Sequence, residues 1–308
     1  MKVVSFFSSE YPLSKRIAGV IRSLTYNGFG RTLLKINDKY KFTTFNNTRR
    51  FIKFCKTCEH PFNRIRRRAI ARKIRRNSKN AVLLSEEQGY KILAPGMIPE
   101  SDKVIAACQK FYRESHTKLQ NLVGKTNFCY MLLQTAADEY DLKLNSSDIY
   151  DLTLIPGLTE FALSPILLEA AAGYLGEAPV LAGVTMYASF PNDAKIGSQL
   201  FHIDKGDFRQ VKFIFAITDA HEENGPFTFL PADKAQCVEE KLGENFYGRV
   251  ADEAAYDVVG KDAAVKFLGP AGSCLIIDTG RCLHYGSRGN KQFRCLLEIQ
   301  FMSRFNSG

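Results

Sequence analysis

Hydrophobic residues in the second half of the chain fall in short runs separated by turn-forming residues. The runs are rich in Val, Ile, Phe and Leu, and most of the segments between them contain Gly or Pro, as in Asn224, Gly225 and Pro226. Many short strands that each turn back on a neighbour are typical of a sandwich or barrel. The predicted strands cover residues 90–93, 183–190, 210–218, 227–230, 264–267, 273–278 and 293–301.

Helical spacing prevails before most of these strands, where apolar residues recur three and four positions apart. A helix is predicted from residue 101 to about residue 123, and further helical turns over residues 148–175. Residues 232–262 contain no clear strand and are predicted to form a partly helical lid. Two earlier helices carry basic residues between their apolar positions, which are Ile17, Val20, Ile21 and Leu24 in the first and Ile65, Ala69, Ile70 and Ile74 in the second.

The positive charge of the chain is concentrated at its start. Residues 1–80 contain 21 Lys and Arg against three acidic residues, whereas the rest of the chain has 21 basic and 29 acidic residues. We therefore divide the chain into a basic, helical N-terminal region, residues 1–80, and a second domain, residues 81–308. The basic region is expected to dock on an anionic membrane surface, to bind nucleic acid, or to pack on the second domain. Nucleic acid is disfavoured, because the region has neither a known binding module nor aromatic residues placed for base stacking.

Composition narrows the expected location of the protein. No run reaches the roughly 18 consecutive apolar residues of a membrane span, and the first residues lack the apolar region and cleavage site of a secretion signal. The eight Cys are scattered, several of them in apolar runs, which is typical of buried thiols in a reducing compartment. We predict a cytoplasmic protein, peripheral at the inner face of a membrane if the basic region docks there. Cys55, Cys58 and His60 form only half of a zinc site, since no second pair follows at a usual spacing.

Candidate metal ligands stand in the strand-rich half. His202 and Asp204 are two positions apart, so in extended chain both side chains point to one face and can bind one metal ion. A third ligand, His284, follows the strand predicted at 273–278 and reaches the mouth of a barrel if that strand pairs with the one bearing His202. Two His and one carboxylate leave coordination positions open, as non-haem Fe(II) oxygenases require. Arg294 lies among apolar residues, where a guanidinium needs an anionic partner such as a small dicarboxylate at the metal.

Most of residues 81–302 resemble the phytanoyl-CoA dioxygenase family of Fe(II)- and 2-oxoglutarate-dependent oxygenases. The resemblance is weak in the segments that begin at Ser85 and Leu168, and it does not extend to the basic region. It is specific because several motifs occur together, in order and at suitable spacings. These motifs are Gln199, Leu200, Phe201, His202, Ile203 and Asp204; Thr218, Asp219, Asn224, Gly225 and Pro226; and His284, Tyr285, Gly286, Ser287, Asn290 and Arg294.

The resemblance implies a fold, a reaction and roles for individual residues. The fold would be α+β with a mainly β core, a double-stranded β-helix of the jelly-roll or cupin type that is buttressed by helices. The enzyme would use Fe(II), 2-oxoglutarate and O₂, and hydroxylation is favoured because Asp204 stands where related halogenases have Gly or Ala. By resemblance, His202, Asp204 and His284 would bind Fe(II), Arg294 would pair with the distal carboxylate of 2-oxoglutarate, and Ser287, Gln199 and Tyr187 would complete the cosubstrate pocket.

Four cations flank the ligand segments and predict an anionic substrate, either a small molecule or a lipid-linked one. We expect Lys205, Arg209, Arg281 and Arg288 to hold a phosphate or carboxylate near the mouth of the barrel. Two other classes of function stay open on sequence alone. One is a barrel-shaped binding module without turnover, and the other is an oxygenase recruited to nucleic acid by its basic N-terminal region.

Overall fold

The structure is a computed structural model that describes most of the chain. It covers residues 61–77, 84–132, 151–205, 209–243, 246 and 248–303, together with single residues at positions 36, 47, 48 and 51. The helix predicted around Ile17 and the half zinc site at Cys55, Cys58 and His60 lie outside the described residues.

The described part of the chain forms eleven strands and six α-helices. The strands are β1 (Tyr90–Leu93), β2 (Phe128–Leu132), β3 (Val180–Ser189), β4 (Phe201–His202), β5 (Gln210–Ala216), β6 (Thr228–Leu230), β7 (Arg249–Val250), β8 (Val265–Lys266), β9 (Cys274–Ile277), β10 (Leu283–Tyr285) and β11 (Arg294–Met302). The helices are α1 (Pro61–Asn77), α2 (Ser101–Gln120), α3 (Leu158–Ala162), α4 (Pro165–Leu175), α5 (Ala232–Leu242) and α6 (Asp252–Val259).

The strands form two antiparallel sheets. The larger sheet has the order β1-β9-β5-β11-β3-β2, and the smaller has the order β7-β4-β10-β6-β8. Side chains of β5, β9 and β11 pack against those of β6 in one apolar cluster between the sheets. Helices α2, α3 and α4 cover the outer face of the larger sheet, and α5 and α6 cover the smaller one. This is the predicted α+β fold, a mainly β jelly roll buttressed by helices.

Strand β11 illustrates how the sequence pattern selects the two faces of the larger sheet. Cys295, Leu297 and Ile299 belong to the core that the helices cover. The alternate residues, Arg294 and Glu298 among them, face the space between the sheets. Because side chains alternate along a strand, charged residues at every second position of an apolar run point into that space.

All seven predicted strands are confirmed, with ends that shift by three residues or fewer. Four strands, β2, β4, β7 and β10, were not among these seven, although extended chain was expected at His202 in β4, and β7 corrects the expectation that residues 232–262 contain no strand. The proposed pairing of the strand before His284 is also wrong. That strand, β9, pairs with β1 and β5 in the larger sheet, whereas His284 lies on its own strand, β10, which pairs with β4. Strands β4, β7 and β10, of two or three residues, carry too little periodicity to be recognised before their partners are known, whereas β2 has five residues.

Residues Leu158–Leu175 form the one described segment that is long and apolar enough to cross a membrane by length and composition, with a mean hydropathy of 1.2. In the structure this segment is two helices, α3 and α4, which are separated by Leu163 and Ser164. Leu158 and Leu167 are fully buried against the larger sheet. The apolar character of the segment is therefore explained by its place in the core of the protein.

Helix α1 confirms the second predicted basic helix but packs through another face. Of the predicted apolar positions, Ile65 is 61% exposed and Ile70 is 41% exposed. The helix lies against α4 instead, with Ala71 buried and the Arg67 guanidinium donating to the carbonyl oxygen of Ala178. A small residue and the apolar stem of an arginine permit this approach, which the spacing of isoleucines alone does not predict.

Candidate metal centre

Strands β4 and β10 bring the two predicted histidine ligands together. They are antiparallel neighbours, and His284 stands directly opposite His202, with their ring centroids 4.3 Å apart. Asp204 follows two residues after His202, and its backbone N–H donates to the carbonyl oxygen of Thr279 (2.9 Å). Its Oδ1 lies 3.7 Å from His202 Nε2 and its Oδ2 lies 3.8 Å from His284 Nε2. His202 and Asp204 therefore lie on one face, as their spacing predicts, and β10 brings His284 beside them.

Backbone hydrogen bonds fix the orientation of both imidazoles. The Nδ1 atom of His202 lies 2.8 Å from the Leu200 carbonyl oxygen, and that of His284 lies 2.9 Å from the Cys282 carbonyl oxygen. A carbonyl oxygen only accepts, so each Nδ1 carries the proton and each Nε2 keeps its lone pair for a metal. The ring of Phe227 stacks on His284, with 21° between their planes. The histidines are thus preset as neutral metal ligands.

The electrostatics of the three side chains also suit a divalent cation. Burial lowers the pKa of His284 to about 3, with a further contribution from His202, and burial likewise lowers the pKa of His202. Burial alone would raise the pKa of Asp204, but Lys212 and the two histidines outweigh it and hold that pKa well below its usual range. At neutral pH the set therefore offers two neutral nitrogens and one carboxylate.

Ligand atoms of these residues all lie within 4.8 Å of one another, and they are the one such group of three or more His, Cys, Asp or Glu among the described residues. Metal–ligand bonds of about 2 Å place neighbouring ligand atoms about 3 Å apart, so small side-chain rotations bring all three onto one ion. The donor set fits Fe(II) with open positions.

Arg294 lies deep in the same pocket and has no counter-ion among the described residues. Its side chain is 2% exposed, and its Nη2 donates to the Gly286 carbonyl oxygen (2.6 Å). Its Nε and Nη1 have no hydrogen-bond partner in the part of the chain that the structure describes, and burial lowers its pKa to about 10, which leaves it charged at neutral pH. A buried cation without an anion is costly, so the carboxylate of a bound ligand fits this position. The pocket, of about 180 Å³, is smaller than the usual ligand pocket of roughly 300–1,000 Å³ and matches a small cosubstrate.

All seven residues predicted for the metal and the cosubstrate line this single pocket, including Ser287, Gln199 and Tyr187. The Ser287 hydroxyl is hydrogen-bonded to the Asn290 side chain. Gln199 is engaged mainly by the surrounding loop, since its Nε2 donates to Asn192 Oδ1 (3.0 Å). The Tyr187 hydroxyl donates to Glu298 (3.4 Å).

The turn formed by Asn224, Gly225 and Pro226 is held close to the site by contacts with Asn290. Gly225 has a φ of +63°, and a Cβ there would lie 2.1 Å from Asn290 Oδ1. Asn290 in turn donates to the Asn224 carbonyl oxygen (2.9 Å). This close approach ties the turn to the loop that carries Ser287, and a side chain at position 225 would push them apart.

Lys212 and Glu298 are pocket residues that were not predicted from the sequence. Lys212 Nζ lies 2.9 Å from Asp204 Oδ2 and 3.0 Å from Glu298 Oε1. Lys212 is the one charged residue of the apolar strand β5, and Glu298 is the one acidic residue of β11, which also carries Arg294. A charged residue at an inward position of a buried strand was the signal that could have identified both.

The four cations predicted to hold substrate do not gather at the pocket, and none of them is among its described lining residues. Arg209 forms an ion pair with Glu86. Arg281 donates to the Glu86 carbonyl oxygen (2.8 Å) and to the Tyr174 hydroxyl (3.0 Å). An anionic substrate stays a prediction, to which these contacts add nothing.

The other two of these cations lie on the segments that carry the metal ligands. Lys205 directly follows Asp204 and is half-buried. Arg288 pairs with Asp252 and stacks on Tyr285 with its guanidinium carbon 3.6 Å from the ring centroid. Arg288 is thus occupied by a carboxylate of the chain itself, and Arg294 is the pocket arginine that remains for a cosubstrate.

Comparison with known proteins relates the chain to one family. The family model described as phytanoyl-CoA dioxygenase matches residues 104–294. No curated protein sequence matches the chain. Among solved structures, EctD from S. alaskensis with 2-oxoglutarate and 5-hydroxyectoine is 13% identical, with a TM-score of 0.48 over 74% of this chain and 79% of that one. HygX from Streptomyces hygroscopicus with nickel and 2-oxoglutarate is 12% identical, with a TM-score of 0.41 over 71% of this chain and 87% of that one.

Proposed function

The chain belongs to the phytanoyl-CoA dioxygenase family of Fe(II)- and 2-oxoglutarate-dependent oxygenases, and we propose that it hydroxylates an unactivated C–H bond of a small or lipid-linked substrate. The observation that carries the proposal is the cluster of His202, Asp204 and His284 beside the uncompensated charge of Arg294. The retained carboxylate at Asp204 favours hydroxylation, because a halide that is to be transferred needs the metal position that this carboxylate fills.

Each residue of the pocket has a task that follows from its contacts. His202 and His284 present Nε2 lone pairs because their Nδ1 protons are held by backbone carbonyl oxygens. Asp204 supplies the anionic ligand, and Arg294 binds the far carboxylate of the cosubstrate and so orients it. Fe(II), when bound with 2-oxoglutarate and O₂, supplies the oxidising chemistry. Phe227 covers one face of His284 and keeps water from that side of the site.

Anaerobic difference spectroscopy tests this proposal directly. We expect full-length protein with Fe(II) and 2-oxoglutarate to develop the metal-to-ligand charge-transfer band of a chelated 2-oxo acid. The band should disappear in His202→Ala and in Asp204→Ala, because each removes one of three protein ligands. Absence of the band in the wild-type protein would refute the assignment of the metal centre.

Succinate release distinguishes an enzyme from a binding module with the same fold. With Fe(II), 2-oxoglutarate and O₂ but no substrate, an oxygenase of this kind is expected to release succinate slowly. The release should be abolished in Asp204→Ala and retained in Lys266→Met, which alters an exposed residue in an ion pair with Glu222. A charge-transfer band without any succinate, with and without candidate substrates, would favour the binding module.

We also propose that helix α1 docks on an anionic membrane surface, which would bring a lipid-linked substrate to the pocket. The support is a solvent-exposed face that combines apolar and basic side chains. Phe62 is 84% exposed and Ile65 is 61% exposed. The helix also exposes six cations, which favour anionic headgroups by about 1 kcal/mol each near a membrane surface; they are Arg66, Arg68, Arg72, Lys73, Arg75 and Arg76.

Co-sedimentation with phosphatidylcholine vesicles, with and without phosphatidylserine, tests the docking proposal in the full-length protein. We expect pelleting only with phosphatidylserine, and a reduced pelleted fraction in Phe62→Ser/Ile65→Ser. Met97→Ser is the matched control, because Met97 is 60% exposed but lies outside α1. Equal pelleting of the double variant and the wild-type protein would contradict a docking role for α1.

A further inference from the structure

Lys212 is a buried lysine that touches two carboxylates inside the pocket. Its side chain is 12% exposed, and its Nζ lies 2.9 Å from Asp204 Oδ2 and 3.0 Å from Glu298 Oε1. The Glu298 side chain is equally enclosed, at 10% exposure, and accepts a hydrogen bond from the Tyr187 hydroxyl. These residues form a continuous polar network whose end is the carboxylate proposed as a metal ligand.

Strand register explains how the two opposite charges meet. Strands β5 and β11 are antiparallel neighbours, with Glu298 opposite Ile214 and Lys212 opposite Gln300. Lys212 and Glu298 are therefore diagonal neighbours on the inward face of the larger sheet, within reach of each other's long side chains. From this face Lys212 extends to Asp204, which follows strand β4 of the other sheet. The lysine thus links the two sheets at the metal site.

Burying the ammonium group of Lys212 costs free energy unless a carboxylate neutralises it. Glu298 alone could neutralise Lys212, since one carboxylate balances one ammonium group. The additional contact with Asp204 therefore does more than compensate charge. It is an ion pair with Oδ2, which also lies 3.8 Å from His284 Nε2, whereas Oδ1 lies 3.7 Å from His202 Nε2.

We propose that Lys212, held by Glu298, is a positioning residue that fixes the rotation of the Asp204 carboxylate and so directs one of its oxygens to the metal. The inference rests on the proposed function of this site. Glu298 contributes by neutralising the charge of Lys212. Without it, the ammonium group would oppose the binding of a dication beside Asp204; with it, the net charge of Asp204, Lys212 and Glu298 remains negative.

Cobalt(II) binding to the full-length apoprotein tests the role of Lys212, because Co(II) reports both affinity and ligand geometry in its visible absorption. The main variant is Lys212→Met/Glu298→Gln, which removes both charges together, keeps similar volumes and leaves the net charge of the protein unchanged. We expect its Co(II) affinity to fall by about 10- to 100-fold, the usual effect of removing a partner of a metal ligand. Its visible spectrum should also change, because the Asp204 carboxylate is free to rotate.

Lys266→Met/Glu222→Gln is the matched control. It removes an exposed Lys–Glu pair with a contact of 2.7 Å away from the pocket, and it should bind Co(II) as the wild-type protein does. Thermal unfolding of each variant separates a loss of fold from a loss of geometry. Wild-type affinity and spectrum in the folded Lys212→Met/Glu298→Gln variant would overturn the inference.

Glu298→Gln alone gives an independent measurement if the double variant does not fold. Here Lys212 keeps its contact with Asp204 but loses its compensating charge. We expect weaker Co(II) binding with an unchanged visible spectrum, and unchanged affinity would overturn the assignment to Glu298. If the wild-type protein itself fails to bind Co(II) through His202 and Asp204, the proposed function fails, which is a different result from a wild-type site that is insensitive to Lys212.

Discussion

Asp278 is a buried acid that supports the metal-ligand segment and gives the stability of the protein a measurable pH dependence. Its Oδ1 accepts a hydrogen bond from the Gly280 N–H (2.9 Å), and its Oδ2 accepts one from the Tyr174 hydroxyl (2.8 Å). The carbonyl oxygen of the adjacent residue, Thr279, accepts a hydrogen bond from the backbone N–H of Asp204. A change at Asp278 is therefore transmitted to the segment that carries the metal ligands.

Burial raises the pKa of Asp278 from an ordinary value of 3.8 to about 6, although hydrogen bonds from Tyr174 and from the backbone act in the opposite direction. A shift of about two units is equivalent to ~3 kcal/mol. Because the folded pKa is the higher one, the folded state holds its proton more tightly than the unfolded chain between pH 4 and pH 6. Stability attributed to this group is present at lower pH and is lost as pH rises through about 6.

Urea unfolding of the metal-free protein measures this effect in wild type and in Asp278→Asn. The asparagine cannot ionise; its Oδ1 can still accept the hydrogen bond from the Gly280 N–H, whereas its Nδ2 can only donate to the Tyr174 hydroxyl oxygen. We expect the free energy of unfolding of the wild-type protein, relative to the variant, to fall by about 1.4 kcal/mol between pH 5 and pH 8. The rest of the ~3 kcal/mol is lost below pH 5. Other ionisable groups are common to both proteins and cancel in the difference.

Tyr174→Phe provides a second check on the same reasoning. It removes a hydrogen bond that favours the ionised carboxylate, so the pKa of Asp278 should rise further and the loss of stability should move to higher pH. A difference between wild type and Asp278→Asn that stays constant from pH 5 to pH 8, or that grows in favour of wild type, would refute the proposed cause.

Three further substitutions test the pocket and the loop beside it. Arg294→Met should weaken 2-oxoglutarate binding by roughly 2–5 kcal/mol in titration calorimetry, yet leave the ligand-free protein as stable as wild type or more so in a thermal melt, because an unpaired buried charge is removed. Gly225→Ala should destabilise the protein by at least about 2 kcal/mol in urea, because its Cβ would lie 2.1 Å from Asn290 Oδ1 and 2.7 Å from the Arg288 carbonyl oxygen at a φ of +63°. Asp252→Asn should cost about 1.5–3 kcal/mol in urea, since Arg288 loses a charged partner in a largely enclosed site.

The residues of the candidate metal centre could be predicted because they either lie close together in sequence or follow one another in a fixed order. His202 and Asp204 are two positions apart, and extended chain alone puts them on one face. His284 and Arg294 were predicted at suitable spacings after them, although the strand assigned to His284 was wrong. That strand, β10, has three residues, and its partners, β4 and β6, are distant in sequence, so only the assembled sheet identifies it.

Other features depended on contacts that no spacing reveals. Ile65 and Ile70 of α1 have helical spacing yet remain exposed, because α1 approaches α4 through Ala71 instead. Arg209 and Arg281 flank the ligand segments in sequence, but in the folded protein both contact Glu86, and neither is among the described residues that line the pocket. The position of a cation in the sequence does not show whether it can bind a substrate, because a carboxylate from a distant segment can form an ion pair with it.

The sequence by itself determined seven of the strands and placed the proposed metal ligands His202 and Asp204 on one face, because alternation and short spacing act within a few residues, and the resemblance to a family implied the jelly-roll class. Tertiary structure decided the surroundings of those ligands. Lys212 and Glu298 are 86 positions apart in the numbering, and they meet Asp204 only when β5 and β11 pair and the two sheets close on each other. A charge buried in a strand is recognisable in sequence, but its partner is fixed by register and packing.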